Sequence, residues 1–110
     1  MGMSAIADVP TAHASKYLQQ LCKHWQHNLS VTFTPDHGTV AFPKDARGAD
    51  WPEDALVTFD AEAGALAVRI DASNREHLDA MKGVVARHLD RFAFREAPLG
   101  FDWRDAEGRS

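Results

Sequence analysis

Imidazole is the side chain best suited to binding a metal or moving a proton near neutral pH, and this chain carries six of them in 110 residues. The segment Cys22-Lys23-His24-Trp25-Gln26-His27 gathers a thiol, an amine and two imidazoles in one short stretch. Zinc takes thiolate and imidazole ligands, four in a structural site and three in a catalytic one. On a helix, residues two apart point about 160–200° away from each other, so Cys22 and His24 cannot grip one ion there. His24 and His27, three apart, can share an ion but need a third ligand. His37 lies roughly 17 Å beyond the helix end along extended chain, and His13 about 16 Å back along the helix axis. His88 completes the set only if a second helix packs with its turn adjacent. Glu96 and Asp36 are acidic side chains that nothing in the sequence fixes there. A transition-metal site would therefore use His24, His27 and His88. The plainer alternative is that His24 and His27 complement the negative end of a helix dipole.

His88 stands among Leu78, Met81, Val85 and Phe92 on an apolar helix face. Such a histidine either packs with its ring nitrogens hydrogen-bonded or acts as a pKa-shifted base or ligand beside a pocket. The expectation is a mostly buried ring with at least one nitrogen bonded. Cys22 completes an apolar stripe and reads as a packed, inert thiol. Trp25, Trp51 and Trp103 are scattered, as core or boundary groups are. H-E-x-x-H, Walker A, G-x-G-x-x-G and G-x-S-x-G patterns do not occur in the sequence, so no catalytic residue can be named.

Positioning these groups takes one domain, expected over 1–104 with a frayed tail over 105–110. An apolar fraction of 45% and a charged fraction of 25% are those of an ordinary globular chain. The net charge of −4 argues against a nucleic-acid partner, and a single cysteine excludes an intrachain disulfide. No run approaches 18 apolar residues, and Met1 to Val9 lacks the cationic start of a signal peptide. The expectation is a cytoplasmic protein, away from membranes, with Cys22 reduced.

Ile6 and Val9 mark a short strand over 4–10. Thr11 reads as the N-cap of a helix over 12–28, whose apolar stripe is Ala14, Tyr17, Leu18, Leu21, Cys22 and Trp25. Leu29, Val31 and Phe33 alternate with polar residues, and Val40 and Phe42 resume the pattern after Pro35-Asp36-His37-Gly38, so 29–43 reads as a hairpin. Pro43 to Asp54 reads as a surface loop. A second hairpin joins 56–60 to 65–71. Ser73-Asn74-Arg75-Glu76 has the form of a capping box, opening a helix to about Phe92. Phe92-Ala93-Phe94 reads as core closing that helix, and Phe101 to Trp103 as a last strand. The order β-α-β-β-β-β-α-β, with clean alternation in the hairpins, predicts an α+β two-layer sandwich: a mainly antiparallel sheet with both amphipathic helices on one face. The other face, rich in Thr and Ala, is either solvated or the contact of a homodimer.

Two stretches carry a family resemblance. Tyr17-Leu18-Gln19-Gln20-Leu21-Cys22-Lys23-His24-Trp25-Gln26-His27 resembles a Y-L-x-Q-L-C-K-H-F-x-H-K signature, and His88-Leu89-Asp90-Arg91-Phe92-Ala93-Phe94-Arg95-Glu96 resembles H-L-E-R-F-A-F-R-E. Together with Trp103 they are similar to the bacterial domain of unknown function 2218. Trp25 stands where that pattern has Phe, and Asn28 where it has Lys. Members of that family occur alone or appended to siderophore-interacting, flavin-binding reductases, which implies a link to iron acquisition. Lys23, His24, His27, His88, Arg91 and Glu96 match the polar signature positions and become the candidate ligand-binding residues. They either converge on one site or form a polar network joining the helices. The resemblance favours a non-enzymatic accessory or ligand-binding module in iron–siderophore use, with a siderophore-interacting reductase or a small molecule as partner. The alternatives are a small metal-dependent or redox enzyme using His24, His27 and His88, and a dimerisation module.

Overall fold

A computed structural model of the chain describes residues 2–45, 50–96 and 99–106. Its elements are β1 (Met3–Pro10), α1 (Ala14–Trp25), β2 (Ser30–Phe33), β3 (His37–Phe42), β4 (Ala55–Glu62), β5 (Ala65–Ala72), α2 (Arg75–Phe92) and β6 (Arg104–Asp105). This is the expected order, and the strands form one sheet arranged β2-β3-β4-β5-β1-β6 with every neighbouring pair antiparallel. Alternation does the sorting. Val57 pairs with Ile70 and Phe59 with Val68, and all four side chains are buried beneath the helices. The intervening Thr58, Asp60, Arg69 and Asp71 point to the other face. There His37 Nδ1 meets Asp60 at 2.6 Å, and Arg69 pairs with Asp71 at 3.1 Å.

Both helices cover the same face, α1 across β2–β5 and α2 across β5 and β1. The buried residues of α1 are Ala14, Tyr17, Leu18, Leu21, Cys22 and Trp25, the stripe that its 3.6-residue period predicts. α1 sits close to β3 because Gly38 has no side chain: a Cβ there would lie 2.8 Å from Cys22 Sγ and 3.2 Å from Phe33 Cβ. The β4–β5 hairpin turns at Gly64, whose φ of 77° is cheap only for glycine. Among the described residues no helix is long and apolar enough to cross a membrane.

Several local expectations give way to tertiary contacts. α1 begins at Ala14 behind a His13 N-cap that makes no side-chain bond; the Thr11 hydroxyl donates to Glu96 and accepts from His13 N–H at 3.0 Å. The helix ends at Trp25, whose carbonyl accepts from both Asn28 and Leu29 N–H. The capping box does not form. Asn74, in extended conformation, caps α2 by accepting from His77 N–H at 2.9 Å, while Ser73 is engaged by the His77 ring. Phe101 and Trp103 lie outside any strand and stack on each other at 5.6 Å. The last strand is instead Arg104–Asp105, added to the β1 edge opposite Ile6 and Ala5. Ala106 N–H also donates to Ser4 O, so the expected frayed tail is pinned at Asp105 and Ala106, and 107–110 lie outside the described residues. Phe94 is 70% exposed, not core. The chain leaves its helical path at Ala93 (φ −98°, ψ 37°), which sends Ala93 inward and Phe94 outward. In the predicted loop, Trp51 N–H bonds Lys44 O at 3.0 Å and Asp54 accepts from Lys44 N–H at 2.8 Å; residues 46–49 lie outside the description.

Candidate functional site

The end of α1, one flank of α2 and the segment after β3 enclose a groove of about 660 Å³. Its apolar lining includes Trp25, Leu29, Phe42, Trp51, Met81 and Val84, and its polar lining His24, Asn28, Asp45, His77, Arg87 and His88. On α2 the phase explains the selection: residues 77, 81, 84 and 88 follow each other at three- and four-residue steps along one side of the helix. The floor is core. Trp25, 6% exposed, packs edge-on to Phe42 at 5.2 Å and parallel to Phe59 at 6.2 Å.

His77 is the residue that the sequence reading passed over. It is 1% exposed, a buried polar side chain at the first turn of α2. Its ring lies flat on Trp51, with centroids 4.6 Å apart and planes 6° from parallel. Nδ1 accepts from the Ser73 backbone N–H at 3.1 Å, and the Ser73 hydroxyl lies 2.8 Å away. A backbone N–H cannot reverse its role, so Nδ1 is the unprotonated nitrogen and the neutral ring carries its hydrogen on Nε2. Burial lowers the His77 pKa below its ordinary value, with the Asp54 carboxylate pulling the other way. The signal in the sequence was its phase, eleven residues and just over three turns before His88.

His88 is half-buried, less enclosed than expected, and its hydrogen bond is local: Nδ1 donates to Val84 O at 2.7 Å. In the neutral ring its lone pair is therefore on Nε2, the opposite tautomer to His77. The His88 ring is 5.6 Å from the exposed His24 and 5.2 Å from Trp25. The helices do bring these two imidazoles together, one from each signature. His27 is exposed and outside the groove lining. Among the described residues no group of three or more His, Cys, Asp or Glu side chains is placed to hold a metal ion.

Comparison with known proteins agrees with this architecture. The family model for uncharacterised proteins conserved in bacteria, domain of unknown function 2218, matches residues 6–104. The chain belongs to that family. It is also similar to PA4090 from Pseudomonas aeruginosa, a structure solved by NMR, at 27% identity and a TM-score of 0.73 over 96% of this chain and 99% of that one. No curated protein matches it.

The remaining polar signature positions of this family member fall elsewhere. Lys23 and Arg91 are exposed and outside the groove. Glu96 closes a clasp beyond the C-terminal end of α2, beside the start of α1. Its carboxylate accepts from the Thr11 hydroxyl at 3.0 and 3.1 Å and from the Tyr17 phenol. The Tyr17 bond, with help from Thr11 and the nearby His13, holds the Glu96 pKa below the usual carboxylate value. The same bond, and then burial, raises that of Tyr17. Cys22 is fully buried, and burial pushes its thiol up to about 11, the state of an inert packed thiol.

Proposed function

We propose that this member of the domain of unknown function 2218 family is a non-enzymatic binding module that takes a small molecule in the groove between α1 and α2. The groove itself carries the reading. Its volume of about 660 Å³ falls in the ordinary range for small-molecule sites, which are mostly apolar with a few placed polar groups. Trp25, Phe42, Trp51 and Met81 supply the apolar wall, and His24, His77, His88 and Arg87 the polar points. His24 and His88 are the two candidates from the signatures that this role retains. The physiological setting we infer, from the resemblance to domains appended to siderophore-interacting reductases, is handling of an iron-chelating molecule or a fragment of one.

The test is a titration of the protein with a catecholate siderophore, iron-free and ferric, followed by tryptophan fluorescence and amide chemical shifts. Saturable changes centred on Trp25, Trp51 and His77 are expected. Shifts confined to the open sheet face, or none with either form, would remove the siderophore setting. Metal analysis of protein purified without a histidine tag should give substoichiometric metal. A full equivalent that disappears on replacing His24 and His88 would mean a metal centre instead.

A further inference from the structure

We propose that His77 selects the ligand of this groove, its Nε2–H donating to a carbonyl or carboxylate oxygen on a flat, conjugated molecule. The proposal rests on the groove being a binding site and names the chemistry of its occupant. Ser73 holds the Nδ1 edge of the ring and Trp51 covers one face. What is left of the imidazole toward the groove it lines is the Nε2 edge. Among the described residues Nε2 has no acceptor, although the residue is 1% exposed. Because the Ser73 backbone N–H fixes Nδ1 as the acceptor, the neutral ring carries its hydrogen on Nε2 permanently. An oxygen acceptor on a ligand in the groove gives that hydrogen a partner.

The shape of the occupant follows from the walls. Trp25, Phe42 and Trp51 present aromatic surface and Met81 a polarizable thioether, a lining that favours ring systems. The Arg87 guanidinium folds back along α2, its Nη1 3.0 Å from where a Gly83 Cβ would be. It therefore sits nearer His77 than its own position in the helix would put it, and favours an acidic over a basic occupant. Asp45 stands on the same rim, so the preference for an oxygen acceptor belongs to His77.

Three naphthalene probes separate the possibilities: 2-naphthoate and 2-naphthamide, which carry an acceptor oxygen, and 2-naphthylmethylammonium, which carries only donors. The first two are expected to shift the groove resonances and the imidazole Nε2–H of His77, and to bind at least about tenfold more tightly than the third. His77→Phe, which keeps a flat ring and loses the donor, should weaken the acceptor probes about tenfold. His77→Gln, with an amide N–H near the Nε2 position, should restore most of that loss. Equal binding by wild type and His77→Phe, or an ammonium probe that binds as well as the others, would overturn the role of His77 and leave the groove standing. If His77→Phe fails to fold, nitrogen shifts of the wild-type ring decide: a hydrogen on Nδ1 would overturn the proposal. No binding of any probe would overturn the groove reading as well.

Discussion

The two ends of the helix pair both draw on the two signature segments, with Thr11 added at one and His77 at the other, and finish in opposite states. At one end Glu96 is clasped by Thr11 and Tyr17, and the polar groups satisfy each other. At the other, His24, His77 and His88 line a groove in which the hydrogen of His77 has no acceptor among the described residues. A polar group whose bonds close within the protein stabilises the fold, while one whose bonds stay open is available to a ligand. The resemblance alone assigns Glu96 and His88 the same standing. Their hydrogen-bond partners separate them.

Four experiments break or sharpen that contrast. The largest effect is expected for Trp25→Ala, because the groove floor is also core. Loss of the indole from Phe42, Phe59 and His88 should cost about 3–5 kcal/mol in denaturant unfolding. A cost below about 1 kcal/mol would mean that the groove end is not continuous with the core.

His77→Phe should cost about 1–3 kcal/mol, since Ser73 loses its acceptor. The variant should also lose a pH dependence. The folded pKa of His77 lies below the ordinary 6.5, so the unfolded chain binds the proton first as pH falls. The contribution of His77 is present above about pH 6.5 and is lost as pH drops through the folded value. Stability curves of wild type and variant should converge toward acid; parallel curves would refute the neutral buried ring.

At the clasp, Tyr17→Phe should lower the melting temperature by several degrees while leaving probe binding in the groove unchanged. Because the folded pKa of Glu96 is depressed, its contribution is present above the usual carboxylate value of 4.5 and is lost as pH falls below it. The difference between wild type and Tyr17→Phe should shrink there. A Tyr17→Phe protein that folds normally and loses ligand affinity would erase the distinction between the two ends. The smallest effect is expected for His88→Leu. Its Nδ1 bonds its own helix at Val84 O and its ring is half-buried, so stability should change by less than about 1 kcal/mol in thermal melts. A larger loss would make His88 scaffold, like Glu96.

Much of the fold was legible because periodicity is a local property. The α1 stripe from Ala14 to Trp25 and the alternation of Leu66, Val68 and Ile70 each reflect one face turned to the core. Errors arose where a side chain had two partners to choose between. Thr11 and Ser73 both have the chemistry of N-caps, yet Glu96 and His77, respectively, engage their hydroxyls. Of the candidate site, His24 and His88 were legible as members of the signatures. His77 was not, because a histidine at the head of an amphipathic helix looks like any polar first-turn residue until Trp51 is laid on it.

By itself the sequence determined the element order, the antiparallel hairpins, the side of each helix that is buried and the family. These depend on spacing along the chain, which folding does not alter. Only the tertiary structure decided that Arg104–Asp105 and not Phe101–Trp103 joins the sheet, that Glu96 is tied down, and that His24 and His88 meet while His27 points away. It also decided the tautomers, hydrogen on Nε2 in His77 and on Nδ1 in His88. A tautomer is set by the partner at the other nitrogen, Ser73 N–H in one ring and Val84 O in the other. Which group arrives there depends on geometry over a few ångströms, and residue type carries no record of it.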